Sequence, residues 1–225
     1  MQNLLFVHGA AANEKSWFKI PEDLENAGFN VKSVYLKEPA PGQDQKPDSK
    51  ITMADYLDVL SRAIGSSGEW ILIGHSMGGM VISQFAADHP DRVKKLVYVT
   101  AVLPEPGESV ASLLGINPRS FGKFLRRVVA EFLDHGDTVF PALDSQPLQP
   151  LSHGFVSSAE FEEIPRYYIR CDDDGIILPS QQASMIKNAP GGADATTTEH
   201  LDSDHFPQLS VPSKLVASLT KAINA

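Results

Sequence analysis

The chain predicts a three-layer α/β fold, with a roughly six-stranded parallel sheet, helices on both of its faces and one helical insertion. Three observations predict it. Short apolar runs alternate with helix-length amphipathic stretches. The apolar runs are continuous rather than alternating, as in parallel strands covered on both sides. One long stretch, residues 101–165, has no convincing strand.

The strands read in order as Leu4–Val7, Val31–Tyr35, Trp70–Ile73, Leu96–Val99 and Arg166–Cys171, with a sixth, threonine-rich one at Ala195–Leu201. The first four read as buried on both faces. A helix over Trp17–Ala27 stops at Gly28, and one over Met53–Ile64 follows Thr52 as N-cap and ends before Gly65. Ser76–Asp88 ends before Pro90, Gln181–Lys187 follows Pro179, and Pro212–Ile223 carries proline in its first turn. Strand–helix alternation of this kind implies right-handed crossovers. The core is therefore expected at 1–100 and 166–225. Within 101–165, Asn117-Pro118 reads as an N-cap followed by proline at the first helical position. Phe121, Phe124, Leu125, Val128, Val129, Phe132 and Leu133 then form one wide apolar stripe. Ser157-x-x-Glu160 reads as a capping box opening a further short helix. This insertion is expected to act as a lid over a pocket.

Composition sets bounds. The chain has 225 residues, 42% hydrophobic and 21% charged, enough for one sizeable core. Its net charge of −9 argues against a nucleic-acid binder, which needs a basic patch, and disfavours strongly anionic substrates. A single cysteine, Cys171, excludes an intrachain disulfide and is compatible with a reducing compartment. The N-terminal apolar run is too short for a signal peptide, and no window approaches a membrane span. A cytoplasmic protein, monomeric or homodimeric and without membrane or nucleic-acid partners, is expected.

The stretch Trp70–Val81 carries the chemistry. It is a buried strand, then Gly74-His75-Ser76-Met77-Gly78, then a helix. A serine on such a sharp turn is exposed above the sheet at the positive end of a helix, and only small residues fit two positions to either side. A hydroxyl nucleophile needs a base, and in this arrangement an acid and a histidine follow the serine beyond later strands. Asp172-Asp173-Asp174 follows the fifth strand and His205 follows the sixth. His200 is the rival histidine; His75, His89, His135 and His153 fit the order less well, and His8 is read as bracing its loop. A backbone N–H after the first strand should complete an oxyanion hole with that of Met77, and Ala10 after Gly9 provides it. The acid run lacks the alternation and twelfth-position glutamate of a calcium loop, so no metal and no cofactor are expected.

These residues resemble the α/β-hydrolase superfamily over essentially the whole chain. Within it, the chain is similar to the small esterase and hydroxynitrile-lyase family that includes the plant methyl-salicylate esterases. The resemblance rests on Phe6–Ala10 with Ser16-Trp17, on Gly74–Gly79, on Leu96–Ala101 with Leu103-Pro104-x-Pro106-Gly107-Glu108-Ser109, and on Tyr168–Cys171 with Asp174 and Pro179. It implies a catalytic Ser76, Asp174 and His205, with Asp174 rather than Asp172 or Asp173 as the acid. It also implies that the superfamily's first two strands are absent here. The lyases carry threonine where this chain has Gly9 and lysine where it has Phe206, which turns the reading from lyase toward ester hydrolysis. Gly9, Leu103, Phe121, Phe124 and Phe206 are expected to line the substrate pocket. The resulting expectation is a serine hydrolase acting on small, largely neutral carboxylic esters. A ligand receptor on the same scaffold and a C–C bond hydrolase stand as alternatives.

Overall fold

The structure, a computed structural model, describes residues 1–117, 119–136 and 142–225. Six parallel strands form one sheet: β1 (Asn3–Val7), β2 (Asn30–Val34), β3 (Trp70–His75), β4 (Val93–Val99), β5 (Arg166–Cys171) and β6 (Thr196–Leu201), in the order β2-β1-β3-β4-β5-β6. The main helices are α1 (Ile20–Asn26), α2 (Met53–Ile64) and α3 (Gly78–Asp88). Between β4 and β5 lie α4 (Val110–Leu113), α5 (Phe121–Leu133), α6 (Gln149–Ser152) and α7 (Ala159–Glu162). The chain ends with α8 (Pro179–Asn188), α9 (Pro207–Ser210) and α10 (Pro212–Asn224).

Alternation along the strands divides the core in two. Leu5, Val7, Leu72, Leu96, Tyr98 and Tyr168 face α2, α3 and the insertion. Leu4, Phe6, Ile71, Ile73, Val97 and Ile169 face α1 and α10, where Trp17, Ile20, Leu24, Leu215 and Leu219 cover them. The chain runs outward from β1 to β2 and then returns to the other side of β1 to place β3. The carboxyl ends of β1 and β3 therefore meet at the reversal of strand order, where open α/β sheets hold their ligands.

Several expectations need correction. β2 is not buried on both faces: it is an edge strand, and Asn30 and Lys32 are exposed. The first helix does not span Trp17–Ala27. A 3-10 turn over Glu14–Trp17 ends at Phe18, whose φ is +50°, and α1 starts at Ile20. A helix from Trp17 would put Pro21 in its interior, where its missing N–H and its ring break the ladder. β4 begins earlier than Leu96, at Val93, because a bulge against Trp70 and Ile71 turns Lys94 outward. The short helix near Glu160 is capped by Ser158 rather than Ser157: its Oγ accepts the N–H of Phe161 at 3.2 Å.

The α2 start is as read: the Asp55 carboxylate accepts both the N–H and the hydroxyl of Thr52. On α5, Val128 and Phe132 are buried, while Phe121, Phe124 and Leu133 pack half-buried against the main core. Asn117 is not the N-cap of α5, which starts at Phe121 after Ser120; its Oδ1 instead accepts the N–H groups of Arg119 and Ser120 in the turn before the helix, and Pro118 lies outside the described residues.

Candidate active site

Ser76 follows β3 with φ of +55°, a conformation that non-glycine residues rarely adopt. The elbow is held by close backbone packing. A Cβ at Gly74 would lie 2.8 Å from the Gly78 carbonyl, so the first glycine is needed against the second. A Cβ on Gly78 would meet the Val7 carbonyl oxygen at 2.5 Å, so that glycine is required by the end of β1 rather than by Gly74. Gly79 is tighter still: its Cβ would fall 2.2 Å from the carbonyl oxygen of Val102. The Ser76 carbonyl accepts the N–H of Val102 at 2.9 Å, tying the turn to the segment after β4.

His205 reaches the elbow from the loop after β6. Its Nε2 lies 3.0 Å from the Ser76 Oγ and its Nδ1 lies 2.8 Å from Asp174 Oδ2. The carboxylate can only accept, so Nδ1 carries the proton and Nε2 is left to accept from the serine hydroxyl. All three side chains are withdrawn from solvent: Ser76 is 6% exposed, Asp174 2% and His205 1%. Asp174 nevertheless stays below the ordinary carboxylate range. Burial alone would raise it, but the His205 ring, the Thr100 hydroxyl and the N–H of Ile177 outweigh that. Its other oxygen accepts the N–H groups of Ile176 and Ile177 at 2.7 and 2.8 Å. The neighbouring Asp172 instead pairs with the exposed His200 at 3.0 Å.

Two further histidines brace this centre. His75 Nε2 donates to the main-chain carbonyl of His205 at 2.8 Å, and burial lowers the ring's pKa to about 3, so it stays neutral. His8 accepts the Leu36 N–H on Nε2 and donates from Nδ1 to the Gly9 carbonyl, with burial lowering it to about 4. That agrees with a bracing role for His8.

Gly9 lies against Ser76, since a Cβ there would sit 2.8 Å from the Ser76 Cβ. Ala10 follows it, and Met77 follows Ser76; among the described residues neither N–H donates to a protein acceptor. The remaining expected pocket residues do not converge on one space. Phe206 is buried beside His205, 5.0 Å between ring centroids, and packs on Phe132 at 4.5 Å. Leu103 is fully buried in the main core, and Phe124 packs half-buried on the outside of that core. Phe121 instead lines a cavity of about 250 Å³ between α4, α5 and α6, with Ala111, Ile116, Leu148 and Leu151.

Sequence reasoning missed several residues at the site. Thr100, at φ +36°, donates its hydroxyl to the Asp174 oxygen that also meets His205. Gln146, from the insertion, accepts the Ala11 N–H at 3.0 Å, and the Asp144 N–H donates to the Ala11 carbonyl. The insertion thereby holds the loop after β1. Thr100 stood in a stretch already singled out, but its partner lies 74 residues away and no local pattern marks the pair.

A family profile described as the alpha/beta hydrolase fold matches residues 2–185. The chain belongs to that family. Its relatives include a pyrethroid hydrolase from Sphingobium wenxiniae, 29% identical over 99% of this chain and 88% of its own length. Methylesterase 7 of Arabidopsis thaliana is 27% identical over 97% of this chain and 95% of its own. Among solved structures, a pyrethroid hydrolase from Sphingobium faniae superposes with a TM-score of 0.85 at 25% identity, covering all of this chain and 98% of that one. The α/β-hydrolase fold and the esterase family expected from the residues are thus borne out. The carboxylic ester hydrolases expected as its enzyme class are the class of these relatives. Among the described residues, no helix is long and apolar enough to cross a membrane.

Proposed function

We propose that the protein is a serine hydrolase of small, largely neutral carboxylic esters. The observation that carries this reading is the alignment of Ser76, His205 and Asp174 at 3.0 and 2.8 Å on a strained elbow, in a chain whose relatives are named as ester hydrolases. Ser76 attacks the ester carbonyl while His205 Nε2 takes its proton. Asp174 keeps the ring in the tautomer that leaves Nε2 free and stabilises the imidazolium that forms. The N–H groups of Ala10 and Met77 receive the oxyanion, each worth about 3 kcal/mol in the transition state. His205 then protonates the leaving alcohol and activates the water that releases the acid. Gly9 supports this geometry, because only a residue without a side chain lets the loop after β1 approach the serine. The insertion serves as the lid over the ester. We place the protein in the cytoplasm, a reducing compartment with which its single, free Cys171 is compatible.

Hydrolysis of p-nitrophenyl acetate and butyrate tests the reading, together with labelling of Ser76 by a fluorophosphonate. Ser76→Ala should lower kcat by at least about 10⁴-fold and abolish labelling. Wild-type turnover in that variant would sink the scheme. Ligand-induced stabilisation of the unaltered protein without turnover would favour a receptor instead.

A further inference from the structure

One helix of the insertion reaches the acid–base half of the site at several points. Arg127 and Glu131 on α5, with His135 just beyond it, recur at four-residue spacing and share one helix face. The Arg127 guanidinium donates to the carbonyl of Gly175, the residue after Asp174. Glu131 Oε1 accepts the main-chain N–H of His205 at 3.3 Å. His135 Nε2 lies 3.2 Å from the carboxylate of Asp204, and Phe132 packs on Phe206, so both neighbours of His205 are also engaged.

The two polar groups of the His205 backbone thus have two separate anchors. Its carbonyl is held by His75, from the elbow, and its N–H by Glu131, from the insertion. His205 lies in neither a strand nor a helix, so no ladder orients its backbone. A side chain pivots on its Cα, and a tilt of the backbone there swings Nε2 away from the serine. Glu131 is half-buried. Burial raises its carboxyl above the usual range; the His205 ring and N–H pull it back, and the Asp174 and Asp204 carboxylates add to the rise. An acid under that pressure has no packing reason to face the loop. The contact with His205 supplies one.

We propose that Glu131 is a positioning residue for His205, which holds the base in line between Ser76 and Asp174 by accepting its backbone N–H. The proposal rests on the catalytic reading of Ser76, His205 and Asp174. It makes the insertion part of the machinery that aims the base, not only a cover.

Full-length Glu131→Leu and Glu131→Gln test it, with functional sites counted by titration with a p-nitrophenyl phosphonate and turnover of p-nitrophenyl acetate expressed per titrated site. Glu131→Leu should lose about tenfold in kcat with KM within about twofold, because misaligned groups cost rate rather than binding. Glu131→Gln keeps an acceptor oxygen and should stay within about threefold of the parent. A loss that only reflects poorer folding would vanish on counting active sites. Parent-like kcat in Glu131→Leu overturns the proposal, as does Glu131→Gln falling as far as Glu131→Leu. If Glu131→Leu does not fold, Glu131→Asp, which withdraws the carboxylate by one methylene, should show the same loss, and parent-like kcat there overturns the proposal. Phosphonate labelling of the parent's Ser76 separates the two failures. With labelling intact and Glu131→Leu parent-like, only the role of Glu131 falls. Without labelling, the reading of the site falls and this inference with it.

Discussion

Around Ser76 the close contacts are main chain against main chain, whereas around His205 they are side chains reaching in from distant elements. Gly74, Gly78 and Gly79 each leave no room for a Cβ, and the nearest atom each would strike belongs to neighbouring backbone. His205 is set by Asp174, His75 and Glu131, and Asp174 in turn by Thr100. The Ser76 turn is therefore part of the packed core, and any enlargement at its glycines is a folding defect. His205 and Asp174 are held by a hydrogen-bond network, in which a substitution can leave the fold intact.

Three substitutions press on that contrast. The largest effect is expected from Asp174→Asn, on the network side. The amide can no longer accept the Nδ1–H as a carboxylate does, and the wrong ring tautomer results. We expect kcat to fall by about 10⁴-fold with near-parental stability. A collapse of stability, measured by urea unfolding, would erase the distinction between the two halves. On the packed side, Gly79→Ala should do the reverse. A Cβ placed 2.2 Å from the Val102 oxygen forces the chain after β4 to move, and a loss of at least about 2 kcal/mol in unfolding free energy is expected. Parent-like stability would show that the elbow yields easily.

The smallest effect concerns His75, which belongs to both halves. Its folded pKa, lowered by burial to about 3, lies below the 6.5 of the unfolded chain. Below pH 6.5 the unfolded chain binds a proton that the folded chain refuses, so stability falls with pH down to about pH 3. His8 adds to the same fall down to about pH 4. His75→Gln does not titrate, and its side-chain amide can still donate to the His205 carbonyl. Its urea-unfolding free energy should fall less steeply between pH 6 and 4, by roughly 1 kcal/mol per pH unit. An unchanged slope would place the acid sensitivity elsewhere.

Much of this was legible along the chain. Apolar runs of strand length located β1, β3 and β4, because a strand covered on both faces needs apolar residues at every position, whereas the edge strand β6 was read from its β-branched threonines. β2 misled by the same signal: Val31, Val34 and Tyr35 suggested full burial, yet neighbours in the sheet determine burial, and β2 has only one. The elbow was readable because its geometry demands glycines a few residues apart. The helix at Trp17 was misread because the turn at Phe18 leaves no compositional mark, although Pro21 argued against it. Glu131, Gln146 and Thr100 look like an ordinary surface acid, a loop amide and a strand-end hydroxyl.

The sequence by itself determined the strand count and the elbow, since each depends on local periodicity or on backbone space within a few residues. Only the tertiary structure decided that the insertion meets His205 through Glu131 and the loop after β1 through Gln146, and that Thr100 meets Asp174. Those contacts join residues 74, 135 and 74 positions apart. A hydrogen bond acts over about 3 Å, so such partners exist only once the sheet and the insertion have brought them together.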